Sequence, residues 1–162
     1  MGSADFIFKV TVSIRREDDG SPVFFKIDGG RFKTSERTIK LQADVQYRLD
    51  IEIKPSLYPK STSLGTTPLQ LKEQARDPHS VRYTTVWSTA GTSVSKKGSR
   101  QDVPFVMEFD GLGMLKVCLQ CKFYKASDSD HCSWGDSFKQ MELNCTLTEE
   151  RTFIKVYNQQ FK

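Results

Sequence analysis

No stretch of this 162-residue chain approaches the ~20 consecutive apolar residues that a membrane-spanning helix needs, so no helical span is expected. Met1 to Phe8 lacks a charged head followed by an apolar run, and no secretory signal is expected. Gly2 meets one requirement for N-myristoylation, but position six is Phe6 rather than Ser or Thr, and the pattern fails. Cysteine is sparse: Cys118, Cys121, Cys132 and Cys145 all lie in the last third, so nothing staples the first 117 residues. Reduced thiols in a cytoplasmic protein fit that distribution better than a disulfide framework. There is no phosphate-binding glycine loop followed by Lys-Ser/Thr, no Gly-x-Ser-x-Gly and no His-Glu-x-x-His. The tight acid cluster Glu17-Asp18-Asp19 has too few spaced oxygens for calcium. No cofactor or metal is expected, and enzyme is the poorer class of reading. A net charge of +4 and a pI near 8.9 fall short of a nucleic-acid footprint unless the charge clusters.

What the chain does have is period-two alternation. Phe6, Phe8, Val10, Val12 and Ile14 alternate with Lys9, Thr11, Ser13 and Arg15, the signature of a strand with one buried and one wet face. Val45 to Ile53 and Leu115 to Phe123 repeat it, and shorter strands are predicted at 23–27, 38–41, 81–87, 103–109, 141–147 and 153–157. Turn signals separate them at Asp19-Gly20-Ser21-Pro22, Asp28-Gly29-Gly30, Ala43-Asp44, Asp77-Pro78, Lys97-Gly98 and Asp110-Gly111. Leu69 to Ala75 is predicted as a strand ending in a loop, with a single helical turn as the alternative. The pattern predicts one all-β domain over 1–162, an antiparallel barrel or sandwich of about ten strands with at most one short helix.

Cys118-Leu119-Gln120-Cys121 matches a C-x-x-C motif, but on a strand residues three apart point to opposite faces, and two such thiols cannot share a metal. Asp130-His131-Cys132-Ser133-Trp134-Gly135 sets a thiol beside a histidine, which leaves a thiol-dependent enzyme as a minor alternative. Adjacent side chains diverge, so the plainer reading is a structured loop with Trp134 closing one end of the fold. Lys26, Arg31, Lys33, Arg37 and Lys40 around the second hairpin form a basic set. Alternation places Lys26 and Lys40 opposite their apolar neighbours and so toward solvent. They suit an acidic tail or the anionic inner face of the plasma membrane, or equally serve as edge protection.

Gly20-Ser21-Pro22-Val23-Phe24-Phe25-Lys26-Ile27-Asp28-Gly29-Gly30-Arg31-Phe32, then Arg37-Thr38-Ile39-Lys40-Leu41, Ile53-Lys54-Pro55-Ser56, Lys122-Phe123-Tyr124 and Asp130-His131-Cys132 with Trp134-Gly135 together resemble the cannabinoid receptor-interacting protein family. The segments keep the family's order over nearly the whole chain. Cys118 and Cys121, the loops at 57–65 and 76–80, and the last four residues depart from it. The resemblance implies a small cytoplasmic protein that binds the intracellular C-terminal tail of a G-protein-coupled, cannabinoid-type receptor and tempers its signalling; with the missing catalytic patterns this makes a non-enzymatic adaptor, expected as a monomer although the sequence does not fix the oligomeric state. It also implies an immunoglobulin-like fold similar to the GDP-dissociation inhibitors that carry prenylated small GTPases. An alternative follows: an apolar slot for a lipidated peptide or G-protein subunit. Phe8, Val12, Leu49, Ile51, Leu119 and Phe123 are the candidate lining, and the same residues equally make a filled core. Lys26, Arg31, Lys33, Arg37, Lys40 and Trp134 are the candidate tail-binding residues.

Overall fold

The structure, a computed structural model, describes residues 6–27, 37–96, 99–128, 132–148 and 153–162. Among these the chain forms β1 (Ile7–Arg16), β2 (Val23–Ile27), β3 (Arg37–Gln42), β4 (Gln46–Lys54), β5 (Ser61–Leu64), β6 (Thr67–Pro68) and β7 (Lys72–Asp77). It continues with β8 (Ser80–Ser88), β9 (Gln101–Phe109), β10 (Gly113–Tyr124), β11 (Asp136–Phe138), β12 (Met141–Leu147) and β13 (Ile154–Phe161). No helix occurs among the described residues, and Lys72–Asp77 is a strand with no helical turn.

The strands make two sheets, one ordered β13-β12-β1-β4-β8-β7 and the other β11-β2-β3-β10-β9-β5-β6. The architecture is a sandwich and not a closed barrel, because each sheet keeps two free edges. All named pairs are antiparallel except β3 with β10, which run parallel from Thr38↔Gln120 to Gln42↔Tyr124. The antiparallel expectation is corrected there: β3 leaves the seven-stranded sheet to become β4 of the other sheet, so its neighbour is not joined to it by a hairpin.

Period-two patterning explains the core. Along β1, Phe8, Val10, Val12 and Ile14 are buried while alternate residues are half-exposed. β4 buries Tyr47, Leu49, Ile51 and Ile53, and β10 buries Leu115, Val117, Leu119, Cys121 and Phe123 from the facing sheet. The crossing from β3 to β4 is held by Thr89, which is wholly buried. Its hydroxyl donates to the Gln42 carbonyl at 2.6 Å and accepts from the Val45 amide at 2.9 Å. Tyr47 Oη accepts the Gln42 amide at 2.7 Å, so a core side chain also fastens the corner. Asp44 takes the left-handed conformation there (φ 58°), which short polar side chains tolerate.

Ile51→Ala should lower unfolding free energy by about 2–5 kcal/mol in a urea titration, since it removes buried methylenes from a closed core. Val86→Ala, on the outer face of β8 and 49% exposed, should change it by less than about 0.5 kcal/mol.

Candidate partner-binding surface

β3 is buried on both faces. Ile39 and Leu41 point into the core, while Thr38, Lys40 and Gln42 lie on the outer face and are buried as well. The outer face is covered by chain from the β8–β9 and β10–β11 connections. Arg100 Nε and Gln120 Nε2 donate to Thr38 Oγ1 at 3.1 and 2.9 Å. Gln42 Nε2 donates to the carbonyls of Ala126 and Asp128, and Arg16 donates to Gln42 Oε1. Lys40 Nζ donates to the Trp134 carbonyl at 2.5 Å and lies 5.1 Å from the centre of the Trp134 ring.

The placement expected for Lys40 is therefore corrected. It does point away from Ile39 and Leu41, but only 4% of it reaches solvent because the β10–β11 connection lies over it. Burial lowers its pKa, and the nearby Lys26 and Lys122 ammonium groups lower it further. Arg37 departs in another way. It shares the inner face with Ile39 and Leu41, and its guanidinium sits between the Phe25 and Phe161 rings at 5.8 and 5.6 Å. Its Nε is buried without a hydrogen-bond partner among the described residues. Arg37 thus bridges the two sheets through aromatic rings and presents no charge to the surface around Lys40. Lys26 lies on the outer face opposite Thr38, half-buried. Arg31, Lys33 and His131 lie outside the described residues.

Trp134 is 72% exposed and closes no end of the sandwich. Its backbone is held down while its ring faces solvent. Gly135 makes that possible: at φ +121° a β-carbon would lie 2.7 Å from the Phe25 carbonyl oxygen, so only glycine lets the connection pass this close to β2. Beside the tryptophan opens a cavity of about 300 Å³ between the β1–β2 turn and Cys132–Ser133, with Phe24, Lys40, Gln42 and Tyr47 among its lining. The sequence reading missed Arg16, Phe24, Gln42 and Tyr47 here. The Arg16-Glu17-Asp18-Asp19 run was the available signal, for Arg16 pairs with Asp18 at 2.7 Å and holds that carboxyl down at about 2.

Cys132 is buried, and burial pushes its thiol up to about 11, an effect that Lys40 only partly offsets. At neutral pH it is a protonated thiol and a poor nucleophile. Cys118 is exposed and Cys121 buried, on opposite faces of β10, and no group of metal-ligating side chains occurs among the described residues. The six slot candidates, Phe8, Val12, Leu49, Ile51, Leu119 and Phe123, all lie within the core cluster, with Phe8 edge-on to Phe109 at 5.7 Å.

With the geometry in hand, comparison with known proteins is specific. Residues 4–161 match the family described as CB1 cannabinoid receptor-interacting protein 1. The chain is 35% identical to the proteins of that name from Rattus norvegicus and Homo sapiens and 34% to that from Bos taurus. Each alignment covers 99% of this chain and 99% of the relative.

Under native conditions at neutral pH, iodoacetamide followed by peptide mass mapping should label Cys118 and leave Cys121, Cys132 and Cys145 unmodified until the chain is unfolded. Gly135→Ala should lower stability by about 1–3 kcal/mol and make Cys132 reactive in the same assay, because the connection must lift from β2.

Proposed function

The chain belongs to the CB1 cannabinoid receptor-interacting protein 1 family, and on that footing we propose that it is a non-enzymatic cytoplasmic adaptor that binds the intracellular C-terminal tail of a cannabinoid-type receptor and tempers its signalling. The observation that carries this reading is the match over 99% of both chains, which leaves no further domain in those relatives to account for their named interaction. No described helix is long and apolar enough to cross a membrane, consistent with an adaptor that meets its receptor from the cytoplasmic side.

Three binding modes compete, and the geometry favours one. Strand addition at a sheet edge needs a regular, accessible edge. Here β7 is charged and interrupted by a bulge after Glu73, and β13 carries an extra residue, Tyr157, opposite Asn144/Cys145. β6 is two residues long and contains Pro68, and β11 is three residues long. Edges of this kind resist pairing, which also supports a monomer. An internal slot for an acyl or prenyl chain needs space that the six core residues fill, so the sheets would have to part first. Side-chain docking on the Trp134 surface needs neither. An exposed indole beside a cavity of about 300 Å³, with half-buried Lys26 on the same outer face, supplies the aromatic anchor and polar surround of a protein contact. The high Cys132 pKa speaks against a thiol enzyme, since its nucleophile would be largely protonated at neutral pH.

Calorimetric titration with the receptor's C-terminal tail peptide, with and without a palmitoyl group, tests this. The unacylated peptide should bind, and Trp134→Ala should weaken it by about tenfold or more while leaving the melting temperature unchanged. Binding confined to the acylated peptide, with a large negative heat-capacity change, would overturn surface docking in favour of the slot.

A further inference from the structure

The opposite face of the molecule, the outer surface of the six-stranded sheet, has its own chemistry. Three cation–carboxylate–cation groups lie across it. Asp50 meets Arg15 at 3.0 Å and Arg48 at 3.2 Å, and Glu52 meets Arg82 at 3.0 Å and Lys54 at 3.7 Å. Glu142 meets Lys162 at 3.2 Å and Lys9 at 3.8 Å. Register places Lys72 of β7 opposite Thr84 and Lys155 of β13 opposite Thr146, adding two cations to the same face. Counting Glu17 and Asp77 at its margins, the face carries eight cations and five carboxylates, so three of the chain's net four positive charges reside there.

The charges are also layered. In each group the carboxylate sits low and the cations stand above it. Glu142 has 11% of its side chain exposed, against 42% for Lys9 and 53% for Lys162. The same order holds for Asp50 beneath Arg15 and Arg48, and for Glu52 beneath Arg82 and Lys54. Whatever approaches meets cations first. At the middle of the face lie Thr11, Ser13 and Asp50, over a shallow polar hollow of about 360 Å³. Tyr83 lines it but is only 8% exposed, so no aromatic ring stands out of it of the sort a protein contact is built around. Ile7 and Val86, both exposed, stand on this same face toward its ends.

We propose that the outer face of the six-stranded sheet is a peripheral membrane-binding surface that lies against an anionic phospholipid bilayer. A bilayer supplies negative charge over a broad area without demanding a shaped pocket, which suits dispersed cations with small apolar side chains near the margins. The inference goes beyond receptor binding and does not rest on it.

Co-flotation of the full chain with vesicles tests it, using phosphatidylcholine alone and phosphatidylcholine with about one third phosphatidylserine. The chain should float with the anionic vesicles only, and salt at about 0.5 M should release it. Lys72→Glu with Lys155→Glu, two exposed positions on bordering strands, should reduce partitioning by about tenfold or more. Lys116→Glu with Lys125→Glu, on and just after β10 of the other sheet, should not. Equal flotation with both lipids, or undiminished flotation of the Lys72/Lys155 variant, overturns the proposal. So does absence of flotation by the wild-type chain alongside retention on immobilised poly-glutamate, which would assign the face to an acidic protein segment.

Discussion

One strand bears the main constraint on this molecule: β3 has no wet side. It runs through the interior of the seven-stranded sheet with Ile39 and Leu41 in the core, and it also carries Thr38, Lys40 and Gln42 on the outer face beneath another segment. A buried polar side chain must find partners or destabilise the fold. Those three take theirs from Arg16, Arg100, Gln120, Ala126, Asp128 and Trp134, residues drawn from four separate stretches of chain. The covering connection is therefore specified by the strand beneath it. Trp134 is exposed not because its segment is loose but because its carbonyl is bound from below.

The two outer surfaces contrast in physical kind. Around Trp134 the surface is local and sculpted, with an aromatic ring, a cavity and a lysine whose charge is disfavoured by burial. Across the six-stranded sheet it is broad and repetitive, with carboxylates set beneath cations strand after strand. On the proposed readings the first arrangement would discriminate among partners by shape, the second by charge density. The core between them is filled by the packed apolar side chains of both sheets.

Much of this was legible in the sequence, because alternation along β1, β4 and β10 names their inner faces residue by residue. The strands that escaped notice are short and polar: Ser61–Leu64, Thr67–Pro68 and Asp136–Phe138 carry too few apolar residues to show a period. At 69–75 the alternation of Leu69 and Leu71 pointed to a strand, but the strand runs from Lys72 to Asp77, where edge position leaves every residue exposed. Lys40 shows the deeper limit. Period two says which face a side chain takes, and it is silent on whether a distant segment covers that face. The position of Arg37 was similarly hidden, since its aromatic partner Phe161 is more than a hundred residues away in sequence. On the six-stranded sheet the Arg48–Asp50 and Glu52–Lys54 pairs lie along β4 itself, but Arg15, Arg82, Lys9 and Lys162 come from neighbouring strands or the chain end, so the sequence displays only part of the grouping.

Because the sandwich has two differently equipped outer surfaces, their separation sets a length. The sheets pack about 10 Å apart, and side chains on both sides bring the thickness to roughly 25 Å. With the cationic sheet resting on lipid, the tryptophan would look into the cytoplasm, on the far side from the bilayer. A receptor tail emerging beside the molecule would have to climb that thickness and fold back over its rim. At about 3.3 Å per extended residue this consumes on the order of ten residues before the first contact. The molecule would then act as a ruler, engaging only tails whose recognised stretch begins at least that far from the membrane.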